Sequence, residues 1–216
     1  MTKTTYIPAA RFKILTRFLD WGLATFMRER EIKSAVISFA RLKDGDRVLD
    51  FGCGTGTLLL MIESAMKNGE IHGIDIDPEV LAIAQHKITK ANGRSMLREY
   101  DGGILPYSAD YFDSVVSSLV LHHLSTDQKK VSLAEIRRVL KPGCEVIIMD
   151  FGVQRSLWTR FVTSISRWIE PIADNIQGKI PLYLKDASFT EVSEKASFNT
   201  SLGTVAIYSG SRPSKI

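Results

Sequence analysis

The sequence predicts an α/β fold: one domain around a seven-stranded, mostly parallel sheet with helices on both faces. Three observations predict it. Short apolar segments alternate with helical segments from residue 46 to 150, a βαβ rhythm that requires a parallel sheet covered on both sides. A glycine turn, Gly52-Cys53-Gly54-Thr55-Gly56, links the first apolar segment to the helix after it. Two later segments, 187–198 and 203–209, suit an antiparallel hairpin that finishes the sheet.

The elements follow in order. Residues 1–44 read as a helical cap in two runs. The first starts near Pro8 and carries Phe12, Leu15, Phe18 and Leu19 at helical spacing; the second, 23–39, carries Phe26, Ile32, Val36 and Phe39. The turn at residues 43–46 leads into Arg47–Phe51, short, apolar and closed by glycine, as a buried parallel strand is. A helix is expected over 55–67 and a second strand at Glu70–Asp75. Asp77-Pro78 starts the next helix, since aspartate caps and proline fits the first helical position; Ala91-Asn92-Gly93 ends it. Residues 95–100 form strand three and 111–118 strand four, with a loop of Gly102, Gly103 and Pro106 between them. A connection holding His122 and His123 leads to a helix over 127–140, which Lys141-Pro142-Gly143 terminates. Strand five, 145–150, ends in Asp150. A helix over 157–176 carries Trp158, Phe161, Ile165 and Trp168 on one face. The organisation expected is one domain: cap 1–44, core 45–152, then an acceptor-side helix and hairpin over 153–216.

Composition narrows the function classes. With 44% hydrophobic and 24% charged residues, the chain has a globular rather than a disordered composition. Cys53 and Cys144 cannot build a disulfide framework, and their spacing fits no zinc pattern, so buried thiols and no metal are expected. There is no apolar signal core and no run of 18 apolar residues, which makes a cytoplasmic location the expectation. The net charge of +4 divides as +4 over residues 1–50, −3 over 51–150 and +3 over 151–216. The acidic middle coincides with the expected core.

The glycine turn carries the chemistry. Glycines allow a tight turn and close approach to a ligand, and the following helix offers unpaired N–H groups. The spacing Gly52-x-Gly54-x-Gly56 is one residue tighter than the dinucleotide fingerprint, and Asp50 stands before it. An acid there repels a pyrophosphate but meets an ammonium. No Gly-Lys-Ser/Thr follows, which excludes a P-loop. Asp75 ends the next strand, where an acid accepts hydrogen bonds from both ribose hydroxyls of a nucleoside. Together these point to an adenosine-type cofactor.

Taken with Ile74-Asp75-Ile76-Asp77-Pro78, Asp101-Gly102, Leu105-Pro106, Phe112-Asp113-Ser114-Val115-Val116 and Leu140-Lys141-Pro142-Gly143, the turn resembles the class I S-adenosylmethionine-dependent methyltransferases. The closest look is to the small-molecule branch that includes ubiquinone/menaquinone-biosynthesis enzymes, over residues 45–152. The resemblance implies a Rossmann-like sheet of order 3-2-1-4-5-7-6 with strand 7 antiparallel. It implies S-adenosyl-L-methionine as cofactor and S-adenosyl-L-homocysteine as product. Gly52, Gly54 and Gly56, with Cys53 among them, would line its methionine and ribose side, and Asp50 would hold the amino-acid part. Asp75 would bind the ribose, Ile76 would pack on the adenine, and Asp101 beside Gly102 would meet the exocyclic amine. Ser118 and Leu119 would wall the sulfonium. The Asp-Gly-Gly at 101–103 departs from the family's commoner pattern.

Methyl transfer needs positioning above all, and a base where the acceptor has a high pKa. His122 or His123 could supply one; a structural role is the competing reading. Asp150 could face the acceptor or cap the following segment. Tyr6, Arg11 and Trp158 belong to aromatic segments that could cover the acceptor or simply pack on the sheet. The favoured acceptor is a small apolar or aromatic molecule; a protein or RNA acceptor and a non-catalytic cofactor-binding subunit are the alternatives. No stable nucleic-acid partner is expected, and Arg155, Arg160 and Arg167 leave peripheral membrane contact open. The oligomeric state stays open.

Overall fold

A computed structural model describes residues 28–155, 170–201 and 203–214. The elements in chain order are α1 (Glu29–Ala40), β1 (Arg47–Phe51), α2 (Thr57–Ala65), β2 (Glu70–Asp75), α3 (Pro78–Lys90), β3 (Met96–Glu99) and β4 (Phe112–Ser118). A single 3₁₀ turn (Leu121–His123) follows, then α4 (Thr126–Val139), β5 (Leu140–Phe151), α5 (Glu170–Ile176), α6 (Ile180–Asp186), β6 (Thr190–Thr200) and β7 (Gly203–Ser211).

The seven strands form one sheet in the order β3-β2-β1-β4-β5-β7-β6. The first five pair in parallel, and β7 runs antiparallel between β5 and β6. Order and direction are those that the family resemblance implies. Val48 and Leu49, adjacent on β1, point to opposite faces, and both are fully buried. That explains the continuous apolar strands: a central parallel strand has no wet face. Ile32 and Val36 of α1 join Leu58, Leu59 and Ile62 of α2 on one face, and Leu133 and Ile136 of α4 join Leu184 of α6 on the other.

The boundary signals act as their chemistry requires. Asp77 caps α3 through Oδ1, which accepts from the N–H of Glu79 (2.9 Å) and of Val80 (3.4 Å). Ser125 and Gln128 form a reciprocal capping box at the start of α4.

Two expectations change. Lys141-Pro142-Gly143 does not separate α4 from a later strand, because β5 already starts at Leu140. The three residues sit where the register shifts between the Phe112–Leu140 and Ser114–Glu145 pairs. Gly143 adopts φ +80° there, and its N–H bonds Arg212 O at 2.8 Å, so the segment is an irregular part of the ladder. The helix expected over 157–176 is described only from Glu170; it closes at Gly178 (φ +76°), and α6 follows where the sequence suggested no element. Trp158, Tyr6 and Arg11 lie outside the described residues.

Candidate functional site

The carboxyl ends of β1, β2, β4 and β5 converge on the glycine turn. The N–H groups of Gly52 and Cys53 both donate to Ile74 O, at 2.9 and 2.8 Å, which ties the turn to β2. Gly52 has φ +74°, and a Cβ there would stand 2.3 Å from Val120 Cγ2, so only glycine fits. Gly54 also has a positive φ, +53°, but a Cβ on it would meet nothing within 4 Å. Its open side faces space that a ligand can fill. Gly56 precedes α2 in a left-handed conformation, and no side chain caps the helix. The first-turn N–H groups of α2 therefore face the same space.

A cavity of about 150 Å³ opens here, lined by Asp50, Gly52, Cys53, Gly54 and Thr55 of the turn region, by Ser118, Leu119 and Met149, and by Glu29, Ile32 and Lys33 of α1. Asp50 is its most unusual group. It is 1% exposed, and among the described residues neither carboxylate oxygen has a hydrogen-bond partner. Burial pushes its pKa up to about 7; the positive charge of Lys33 pulls the other way, and Asp75 adds to the rise. A buried carboxylate without a partner is costly in an empty site and suits one that receives a cation. Cys53 is buried beside it, and desolvation together with the two acids drives its thiol far above the usual range. Cys53 is thus a neutral wall, not a nucleophile.

Asp75 stands half-buried at the end of β2. Its Oδ2 accepts from Gly54 N–H at 2.9 Å and its Oδ1 from Asp77 N–H at 3.0 Å. Desolvation nevertheless leaves its pKa above the ordinary value. Each oxygen retains acceptor capacity, as a carboxylate offers about four lone-pair positions. Ile76 is half-buried next to it. Asp101 is exposed and closes a local turn, its Oδ1 accepting from Gly103 N–H at 3.0 Å; Gly102 has φ +87° and open space around it.

On the β4–β5 side, Leu119 holds the left-handed φ of +59°, rare for a branched side chain. Its N–H bonds Met149 O at 2.8 Å, and the strain, of order 1 kcal/mol or more, is held by that bond and the packed wall. Ser118 lies beside it on the cavity lining. The next turn carries the two histidines. His122 is 8% exposed, and its Nδ1 lies 2.9 Å from Asp150 Oδ1. Asp150, fully buried, also accepts from the N–H of His122 (3.2 Å) and of Phe151 (2.7 Å). Burial alone would raise its pKa, but the His122 charge and these hydrogen bonds win and hold it below the ordinary value. Nδ1 facing a carboxylate carries the proton, which makes Nε2 the basic nitrogen. His123 is exposed, its ring centre 3.9 Å from that of His122. Asp150 is not part of this cavity's lining and holds the ring and the backbone N–H of His122, one turn beyond Leu119; the helix it could cap was expected from residue 157, outside the described residues.

The structure brings Asp50, Gly52, Cys53, Gly54, Ser118 and Leu119 around one cavity. The α1 side of that cavity was not visible in the sequence: Glu29, Ile32 and Lys33 read only as one turn of an amphipathic helix. The residues present fit a nucleoside joined to an amino acid. An unpartnered buried acid awaits an ammonium, a glycine faces open space, and a strand-end acid has lone pairs to spare.

Comparison with known proteins points to methyltransferases. A family model described as a methyltransferase domain matches residues 48–143. The chain is 30% identical over 144 residues to the ubiquinone/menaquinone biosynthesis C-methyltransferase UbiE of Syntrophotalea carbinolica, covering 67% of this chain and 58% of that protein. It is 31% identical over 143 residues to the demethylmenaquinone methyltransferase of Thermus thermophilus, covering 66% and 62%. The chain therefore spans under two thirds of the length of these relatives. Among solved structures, the YcgJ protein of Bacillus subtilis superposes with a TM-score of 0.70 at 14% identity, over 86% of this chain and 100% of that one, a likeness of fold.

Proposed function

The chain being a member of the class I S-adenosylmethionine-dependent methyltransferase superfamily, related to the UbiE and menaquinone methyltransferases, we propose that it methylates a small aromatic acceptor. The observation that carries this reading is Asp50, a buried carboxylate without a partner among the described residues, set behind the glycine turn. S-adenosylmethionine supplies, when bound, a methyl group on a sulfonium that leaves readily. Asp50 receives the ammonium of its amino-acid part. Gly54 lets the backbone lie against the ligand, and Asp75 offers its remaining lone pairs to the ribose hydroxyls. Ile76 packs on the adenine, and Asp101 meets its exocyclic amine.

The acceptor reading is supported by the second half of the site and by the relatives, which are named as a ubiquinone/menaquinone biosynthesis C-methyltransferase and a demethylmenaquinone methyltransferase. A phenolic or hydroquinone ring must lose a proton when its carbon or oxygen takes a methyl group. In this reading His122 takes that proton: its Nδ1 faces the Asp150 carboxylate, which supports the tautomer with Nε2 as acceptor. The methyl group leaves as a cation equivalent, and the acceptor's electron pair forms the new bond.

The test is transfer of a radiolabelled methyl group from S-adenosylmethionine to a panel of quinols, phenols, transfer RNA and peptides. Label in a quinol or phenol product supports the reading. Label confined to RNA or protein contradicts it.

A further inference from the structure

Two polar side chains besides Asp50 are buried without a partner among the described residues, and both belong to the carboxyl end of β5. Asn175 is fully buried with neither its amide nitrogen nor its amide oxygen engaged, and Tyr208 is buried with its hydroxyl unengaged. Tyr208 lies on β7 opposite Ile148 of β5. Asp150, two residues on from Ile148, points to the same face of the sheet. A Cβ on Gly152 would stand 2.8 Å from the Tyr208 hydroxyl oxygen, which puts that hydroxyl just past the strand end. Asn175 belongs to the last turn of α5, which packs on β5 and on the turn of His122 and His123. Gly178 closes this turn by donating its N–H to Asn175 O at 2.9 Å, and a Cβ on Gly178 would stand 2.7 Å from Val153 Cγ2, one residue after Gly152. Two elements distant in the chain thus bring unengaged polar groups to the strand end that holds the His122–Asp150 pair.

Neither group is needed to anchor its element. Asp174, the neighbour of Asn175, already ties α5 down by accepting from Thr126 Oγ1 of α4 at 2.9 Å, from Tyr183 Oη of α6 at 2.6 Å and from Lys179 Nζ at 2.7 Å. Leucine and phenylalanine would fill the two places without the cost of burying an unpaired polar group. Burial, with the charges of Glu194 and Asp150, pushes the Tyr208 hydroxyl up to about 12, so it keeps its proton and can donate it to an oxygen. The amide of Asn175 can donate and accept at once, which suits a hydroxyl. We propose that Tyr208 and Asn175 form a subsite for a second oxygen of the acceptor ring, other than the hydroxyl that faces His122, and so select dihydroxy over monohydroxy acceptors. The inference rests on the proposed acceptor and deepens it. Both groups are closed to solvent, so the acceptor reaches them only as the segment covering them gives way.

The experiment titrates naphthohydroquinone, kept reduced, and α-naphthol, which lacks the second hydroxyl, into the protein saturated with S-adenosylhomocysteine, so that no turnover is required. Wild type should bind the hydroquinone roughly tenfold or more tighter, because the analogue leaves the subsite unpaired. Tyr208→Phe and Asn175→Leu should each weaken hydroquinone binding and leave α-naphthol unchanged, so that the preference shrinks in each and disappears in the double variant. Neither variant should lower the melting temperature of the ligand-free protein, since the group removed has no partner to strand. A structural role would show the opposite pattern, with a lower melting temperature and an unchanged preference, and would overturn the inference. Equal affinity of wild type for the two ligands, a comparison that needs no variant to fold, overturns the subsite and spares the proposed acceptor class. Failure of wild type to bind either ligand overturns the acceptor reading itself, and the subsite with it.

Discussion

Asp50 and Asp150 are the same residue at equivalent places, near the carboxyl ends of β1 and β5, and both are buried. Their surroundings drive them apart. Asp150 accepts three hydrogen bonds, two from backbone N–H groups and one from the His122 ring, and its pKa falls. Asp50 accepts none among the described residues, and its pKa rises to about 7. Burial is equal, so the partners decide the sign. The β4–β5 acid is satisfied by its own surroundings, whereas the β1 acid, among the described residues, is not. Under the proposed function the first half of the site serves chemistry and the second recognition.

The largest test of this contrast is catalytic. Asp150→Asn or His122→Gln should lower kcat by about 10²- to 10⁴-fold, the usual weight of a positioned general base. Affinity for S-adenosylhomocysteine, measured by titration, should not change. Full turnover in either variant would reduce the His122–Asp150 pair to a structural contact.

Asp50→Asn should do the reverse. Its affinity for S-adenosylhomocysteine should fall by about ten- to a hundredfold through loss of a charge-assisted contact. A variant that binds as tightly as wild type would make Asp50 an acid of the core and erase the contrast.

The two ends also touch, through Gly52 and Val120. Gly52→Ala should cost about 1–3 kcal/mol in urea unfolding, from the strained φ and from the clash with Val120. Adding Val120→Ala should recover the steric part alone. Additive losses would mean that the two ends are not packed on each other.

The smallest effects are on stability, and they differ in sign. A carboxyl with a raised folded pKa contributes stability that is present below its unfolded value and lost as pH rises through the folded one. Asp50→Asn should therefore stabilise the ligand-free protein by about 1–3 kcal/mol at pH 8. The gain should shrink as pH falls below about 7 and vanish near pH 4, where both states hold the proton. Asp150, with a lowered pKa, contributes stability above its unfolded value that is lost as pH falls, so Asp150→Asn should destabilise at pH 8 and matter less in acid. Thermal melts at pH 5 and pH 8 read both signs.

The sheet was legible from the sequence because buried parallel strands are short, apolar and punctuated. Val48–Phe51 ahead of the glycines and Asp77-Pro78 ahead of α3 each carry their own stop or start chemistry. Element α6 was not legible: its proline, Pro181, sits in the first helical turn three residues after Gly178, and seven residues show too little periodicity. Lys141-Pro142-Gly143 misled because a proline and a glycine at a bulge look like those at a helix end. Asp50 was legible as an acid before a glycine turn, and Asp150 as an acid at a strand end. Their opposite roles were not, since pairing with His122 arises across 28 residues of chain. Lys33 was invisible for the same reason; it reaches the cavity only because α1 packs over α2, β4 and β5.

The central claim is that Asp50 is held without a partner in order to meet a cation, and the pH dependence of binding tests it most directly. S-adenosylhomocysteine should be titrated into wild type and Asp50→Asn at pH 6 and pH 8, a range in which the ligand keeps its ammonium. With the Asp50 pKa near 7, wild-type affinity should rise by roughly tenfold between the two, with proton release at the lower pH, while Asp50→Asn binds weakly and equally at both. Wild-type affinity that does not change with pH, or an Asp50→Asn variant that follows the same rise, would contradict the account.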